Sequence, residues 1–329
     1  MADLKYPIDL KSIYAPVQES LRLVEETMRQ ASRVESFPRL AEVLDYVLDW
    51  PGKHLRPVVT LLSSQFHPHT PSAAVSMAAA VEMLHIATLV HDDTVDMSDL
   101  RRGRATVSSR YGKDVAVLVG DYLFAKSASV ACDAGDLRAV QLFAEAVMAL
   151  SKGELRELVT IGVWDPSREN YSRRIEEKTA SLFAAAAEVG AVLSGAPDSD
   201  AVRFRAYGYN LGMAFQIIDD ILDFKGTEEA VGKPVGNDLS QGVLTLPAIL
   251  YVEAHPEDPV MHAAFASRKD LDKVRQAVEL VRGSRMLDDA ACIGDGYCAK
   301  AREALAGLPD IPARRSLLAL TEYLMLRDR

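Results

Sequence analysis

Apolar residues recur along the chain at spacings of three and four, as in Val43, Tyr46, Val47 and again in Val81, Leu84, Thr88. Positions so spaced share one face of a helix. Short breaks separate these segments: Asp49-Trp50-Pro51-Gly52, His67-Pro68-His69-Thr70-Pro71, Asp165-Pro166-Ser167, Ser194-Gly195-Ala196-Pro197 and His255-Pro256. The segments themselves are rich in Ala, Leu, Glu, Arg and Met, all good helix formers. Alternation with period two never persists long enough to propose a sheet. The pattern predicts an all-α chain of roughly ten or more helices, several apolar on most faces and therefore central. With no low-complexity linker and no solenoid repeat, residues 1–329 are expected to form one domain.

The most apolar stretch, Ala73 to Val90, contains Glu82 and His85 and runs into three aspartates. A bilayer span needs about 20 apolar residues without such charges. This stretch is predicted to be a buried helix, and no transmembrane segment is expected. A long glycine-punctuated connection follows later, from Lys225 to Pro247, with Gly226, Gly232, Gly236 and Gly242. A break of that length inside a helical domain is more often functional than not.

Composition narrows the class further. Hydrophobic residues are 49% and charged residues 26% of the chain, a globular balance that excludes disorder. The 37 basic against 47 acidic side chains give a charge of −10, which argues against a nucleic-acid partner. Local clusters can still bind an anion. Three cysteines make no disulfide framework, and Cys292 and Cys298 have no histidine beside them to suggest zinc. Reduced thiols in a cytoplasmic protein are expected. The opening Met-Ala-Asp-Leu-Lys-Tyr-Pro has an early acid and no apolar run, unlike a signal peptide.

The candidate chemistry lies in a pattern that occurs twice. Asp92, Asp93 and Asp96 end the apolar helix around Leu84, and Asp219, Asp220 and Asp223 sit inside the apolar run Leu211 to Phe224. Asp92 and Asp96 share a helix face, as do Asp219 and Asp223. Three carboxylates within one turn repel one another, and beside an apolar helix they call for a cation. Oxygen ligands without His or Cys suit Mg²⁺, which completes its shell with water and substrate phosphates. The basic residues point the same way. Lys53 and Arg56 stand at a helix start, which favours an anion. Arg101, Arg102 and Arg104 follow the first acidic cluster, and Lys178 and Lys233 lie in apolar or glycine-rich settings. Together they describe a cavity that holds phosphorylated substrates between metal and cations. No nucleophile, P-loop or dinucleotide motif appears. Leaving-group departure needs none: charge develops on diphosphate while a carbocation forms in a dry pocket.

The motifs occur in a recognisable order: Gly52-Lys53-x-x-Arg56-Pro57, Asp92-Asp93-x-x-Asp96 with Arg101-Arg102-Gly103, Gly120-Asp121, Gly153-Glu154 and Lys178-Thr179. Then follow Phe215-Gln216-x-x-Asp219-Asp220-x-x-Asp223, Gly232-Lys233-x-x-Gly236-x-Asp238-Leu239 and Thr245-Leu246-Pro247. The sequence closely resembles the trans-isoprenyl diphosphate synthases, or polyprenyl synthetases, from about Ile13 to the C-terminus. The resemblance implies a single-domain isoprenoid-synthase helical bundle around a central cavity. It also implies a homodimer that condenses isopentenyl diphosphate head-to-tail with an allylic diphosphate.

By position, the six aspartates would hold three Mg²⁺ on the allylic diphosphate, Asp223 less directly, with Arg101, Lys178 and Lys233 contacting the same group. Lys53, Arg56, His85 and Arg102 would hold isopentenyl diphosphate. Thr179 and Gln216 would face the allylic cation, and the released diphosphate would accept the proton. Two positions depart from the commonest pattern. Val243 stands where many relatives carry Lys, and Glu157 where many carry Gln.

The resemblance and helix geometry together bear on product length. A turn is about 5.4 Å, close to one isoprene unit, so each turn upstream of Asp92 guards one further elongation. Ala87 and Thr88 are small, and Leu84 and Val81 below them place no aromatic plug in the path. In the family, bulky aromatics at the first of these sites stop growth early. The expected product is all-trans and longer than the twenty-carbon geranylgeranyl chain, with Tyr122 or Phe124 as a candidate floor. Ala87→Phe is expected to shorten it. Transient membrane contact for product release is compatible with this. The alternatives are a farnesyl or geranylgeranyl diphosphate synthase, a class I terpene cyclase, and a non-catalytic partner subunit. A cyclase normally lacks the second aspartate triplet, and partner subunits tend to lose aspartates that this chain keeps.

Overall fold

The computed structural model describes residues 9–50, 52–68, 70–226 and 235–326. The chain opens with α1 (Leu10–Tyr14), α2 (Gln18–Ala31), α3 (Pro38–Leu48) and α4 (Leu55–Ser63), then enters the long α5 (Pro71–Val95). A hairpin, β1 (Leu100–Arg101) and β2 (Arg104–Ala105), leads to α6 (Val107–Tyr111), α7 (Lys113–Cys132), α8 (Leu137–Thr160) and α9 (Arg168–Ile175). A π-helical turn (Glu176–Ala180) joins α9 to α10 (Ser181–Leu193), and α11 (Asp198–Lys225) follows. The remainder comprises α12 (Asn237–Gln241), α13 (Leu246–Ala254), α14 (Pro259–Ala266), α15 (Leu271–Arg282), α16 (Met286–Ala304) and α17 (Pro312–Leu326).

Among the described residues, the short breaks named from the sequence fall between helices, except that Pro71 is the first residue of α5. Pro38, Pro71, Pro259 and Pro312 open theirs, where a missing N–H leaves no bond unmade. The hairpin was not expected. Its strands are two residues long, too short for alternation to register, and Arg102 and Gly103 turn it with φ of 51° and 77°. The glycine-punctuated connection contains α12. Its residues 227–234, with Gly232 and Lys233, lie outside the described residues.

Stretch Ala73–Val90 is the buried helix expected. α5 is apolar all round, lies against α2, α4, α7 and α10, and has 72% of its most apolar window inside the protein. α7 is also long and apolar enough to cross a membrane by length and composition alone. Only 39% of its window is buried, and Val115, Val117 and Leu118 face outward.

Two apolar cores form, one around α5 and α10 and one around α13 and α15. α11 belongs to both, sending Phe204, Tyr207 and Leu211 into the first and Ile217, Ile221 and Phe224 into the second. Its aspartates are therefore held on a rigid element. Two motif glycines permit close approach nearby. A Cβ on Gly120 would meet the His91 ring at 2.0 Å, and one on Gly153 would meet the Lys178 backbone nitrogen at 2.7 Å. Only glycine lets α8 lie that close to the π turn.

Candidate functional site

A cavity of about 760 Å³ opens between α4, α5, α8, α11 and the π turn. Asp92 and Asp96 line it from α5, and Asp219 and Asp220 from α11. Asp93 and Asp223 do not reach its wall. Asp93 is buried, with Oδ2 accepting from Arg101 Nε at 2.7 Å and Oδ1 left without a partner. Asp223 accepts the backbone N–H groups of Asn237 and Asp238 at 3.2 and 3.3 Å, tying α12 to α11.

Burial dominates the electrostatics. It pushes the Asp220 carboxyl up to about 7, with the nearby Asp238 charge adding to it. Asp92 rises for the same reason, reinforced by Glu154, and Asp223 by burial with Asp238. Such carboxylates are poorly solvated, and the Lys178, Arg101 and Arg174 charges offset their burial only in part. Among the described residues, no three His, Cys, Asp or Glu side chains converge closely enough to hold a metal alone. Mg²⁺ uses few carboxylates and takes further oxygens from water and substrate phosphate. The all-oxygen donors on two walls fit that ion.

Cations line the same space. Lys53, Arg56, His85, Arg101 and Arg102 form one end, where α4 and the hairpin meet α5. Arg56 is lowered to about 10 by burial, and its Nε has no hydrogen-bond partner. His85 is held well below its ordinary value by burial and by the Arg56, Arg102 and Arg101 charges, so it is neutral. Lys53 Nζ lies 5.4 Å from the Tyr323 ring centre, and its carbonyl accepts from the Tyr14 hydroxyl.

The π turn presents Lys178 and Thr179; such turns are frequent at functional sites. Lys178 Nζ lies 2.6 Å from Glu157 Oε1 and 3.0 Å from Glu154 Oε2. Burial pulls its pKa down, but Glu157, Asp92 and Glu154 raise it further, and it stays charged. Thr179 Oγ1 donates to Gln216 Oε1 at 2.7 Å; Gln216 Nε2 donates to Asp220 Oδ1 at 2.9 Å, and the Tyr171 hydroxyl to Asp220 Oδ2 at 2.6 Å. Val243 and Glu157 both line the cavity, so the two departures from the family pattern fall inside the site.

Of the proposed chain-length positions, Thr88 lines the cavity, as does its neighbour Leu89. Ala87, Leu84 and Val81 are fully buried behind the wall. Phe124 stacks on His91 with ring centres 5.4 Å apart.

The sequence assigns no site role to several wall residues: Glu82, His54, Glu154, Tyr171 and Arg174. Glu154 had a local signal, standing one turn from Glu157 on α8. Glu82, an acid in an apolar helix, had one too. His54 Nδ1 reaches its Oε1 at 3.1 Å, across 28 residues of chain that no local period spans.

A helical cavity with acidic clusters on two walls and half-buried to exposed cations between them is the arrangement that metal-assisted diphosphate chemistry requires. The model of the family described as "Polyprenyl synthetase" matches residues 37–281. The chain is 37% identical over 319 residues to the heptaprenyl diphosphate synthase component 2 of Geobacillus stearothermophilus, covering 97% of this chain and 99% of that one. It is 36% identical to the nonaprenyl diphosphate synthase of Mycobacterium tuberculosis, covering 99% and 96%. The crystal structure of a polyprenyl synthase from Caulobacter crescentus, complexed with calcium and isoprenyl diphosphate, superposes with a TM-score of 0.91. Identity there is 32%, with 98% of each chain covered. The chain belongs to the polyprenyl synthetase family, and as such it is an enzyme, a trans-polyprenyl diphosphate synthase.

Proposed function

We propose that this chain condenses isopentenyl diphosphate head-to-tail with an allylic diphosphate, giving an all-trans product longer than geranylgeranyl. The observation that carries this reading is the pairing of Asp92 and Asp96 with Asp219 and Asp220 across a cavity whose other end holds Arg56, its Nε buried without a partner. Relatives named for heptaprenyl and nonaprenyl products support the length.

Asp92, Asp96, Asp219 and Asp220 would hold Mg²⁺, three ions in all, with Asp93 and Asp223 bracing them; bound there, the metal neutralises charge developing on the leaving diphosphate. Arg101, Lys178 and Lys233 steady that diphosphate. Lys53, Arg56, His85 and Arg102 hold the isopentenyl diphosphate, Arg56 Nε gaining the acceptor it lacks. Thr179 and Gln216 turn oxygens toward the allylic carbons. Leu89 and Leu150, on the same wall system, keep water from the cation.

The enzyme acts as a homodimer in the cytoplasm, touching a membrane only to release product. The exposed apolar residues of α7 and α8, among them Leu118, Met148, Leu155 and Val159, support a partner-covered face. A relative named as "component 2" favours testing one rival, a subunit inactive by itself. Purified protein with isopentenyl diphosphate, a short allylic primer and Mg²⁺ should yield dephosphorylated chains of more than twenty carbons by mass. A farnesyl-length product alone would overturn the length; no product from the lone chain would favour the rival.

A further inference from the structure

Arg174 lines the cavity near the C-terminal end of α9, and none of the roles above uses it. Its side chain is 14% exposed, its Nη2 donates to the Leu244 carbonyl at 2.7 Å, and its Nε lies 3.7 Å from Glu157 Oε2. Lys178 reaches the other oxygen of that carboxylate at 2.6 Å. One glutamate thus spans both cations.

A second observation comes from the loop that Arg174 holds. Thr245 caps α13, yet its hydroxyl makes no capping bond. The residue is 4% exposed, lines the cavity, and its Oγ1 has no hydrogen-bond partner. Buried hydroxyls are nearly always satisfied, so an unsatisfied one on a cavity wall marks a place for a ligand oxygen. A guanidinium offers the planar fork that phosphate oxygens accept.

We infer that Arg174 and Thr245 form a further subsite for substrate diphosphate, on the wall made by residues 241–245. The inference rests on the reading of the cavity as a diphosphate site. Arg174 brings its charge to the α11 side of the cavity, next to Asp220, whose carboxylate it stabilises. The Thr245 hydroxyl donates to the same anion.

Inorganic diphosphate with Mg²⁺ is the probe, its affinity measured by calorimetry alongside the melting temperature of the free protein. Arg174→Gln should weaken binding roughly tenfold or more, the scale of one charge-assisted hydrogen bond. Arg174→Lys should retain part of the affinity. Val243→Lys, placing a cation on the same wall, should restore part of it to Arg174→Gln. Thr245→Val should weaken binding severalfold without lowering the melting temperature, because no internal bond is lost. Unchanged diphosphate affinity in both Arg174→Gln and Thr245→Val overturns the subsite. So does a loss in Arg174→Lys equal to that in Arg174→Gln with lower melting in both, which marks Arg174 as a strut for Leu244. If Arg174→Gln does not fold, unchanged binding in Thr245→Val overturns it alone. A wild-type protein that binds diphosphate through Arg174 but makes no prenyl product overturns the functional reading and leaves the subsite standing.

Discussion

The Thr179 hydroxyl donates to the side-chain oxygen of Gln216 at 2.7 Å, and this bond decides which end of the Gln216 amide meets Asp220. With Oε1 taken up by Thr179, the amide nitrogen is left to donate to Asp220 Oδ1. The π turn is thereby linked to the second acidic cluster, and the remaining lone pairs of Thr179 and Gln216 stay available to the cavity. An oxygen pair held in place before substrate arrives stabilises positive charge without reorganising.

Thr179→Val keeps the shape and removes this link. Turnover should fall roughly tenfold to a hundredfold, as for other preorganised dipoles, while KM for isopentenyl diphosphate moves little. The melting temperature should shift only slightly. Steady-state kinetics beside a thermal melt checks this; equal losses in turnover and in isopentenyl affinity would refute the assigned role.

The two histidines near the isopentenyl end should act on stability with opposite sign. The hydrogen bond to Glu82 raises the His54 pKa above 6.5, so its stabilisation is present below that value and is lost as pH rises through the folded pKa. Burial and arginine charges depress His85, so the unfolded chain gains a proton near pH 6.5 that the fold refuses. Stability tied to His85 therefore falls as pH drops below 6.5. His85→Gln should make the protein more acid-tolerant and His54→Gln less so, read from urea unfolding across that range. Matching pH profiles for the two variants would contradict both assignments.

Much of this architecture was readable from the sequence, because helix period and Pro/Gly breaks are local signals. The π turn was not: one extra residue in a helical ring leaves no mark on composition. Neither was the pairing of His54 with Glu82 or of Arg174 with Glu157, since side chains from different helices meet there. The motifs put the aspartates near one another, but could not tell that Asp93 and Asp223 point into structural bonds instead of the cavity. Helix geometry separates two positions of the chain-length stripe. At about 100° per residue, Thr88 lies about 40° around the helix from Asp92 and Ala87 about 140°.

That difference redirects the product-length experiment. Ala87 is fully buried, so Ala87→Phe should overpack the core and lower stability by about 1–3 kcal/mol. Thr88→Phe, on the cavity wall, should shorten the product while sparing the first condensation. Chromatography of dephosphorylated products, with a melting curve for each variant, separates the two. A full-length product from Thr88→Phe would mean that the tail leaves by another wall.

The outer face of α7 and α8 carries the last prediction. Leu118, Leu155 and Val159 are 67%, 65% and 73% exposed. On α8, Met148, Leu155 and Val159 fall at steps of seven and four, which keeps them on one side of the helix. Apolar side chains gathered this way gain by being covered, whereas scattered ones need no partner. A charge on each helix should therefore break a dimer without disturbing the core: Leu118→Glu with Leu155→Glu should sediment as a monomer, against a dimeric wild type, with the far-UV spectrum unchanged. The α8 backbone that bears this face also bears Glu154 and Glu157, the partners of Lys178. Turnover of the monomer should consequently drop more than its affinity for isopentenyl diphosphate, whose binding residues lie on α4 and the loop before it, on α5 and on the hairpin. A monomeric wild type in sedimentation velocity would remove the dimer, and an equally active monomer would remove the coupling.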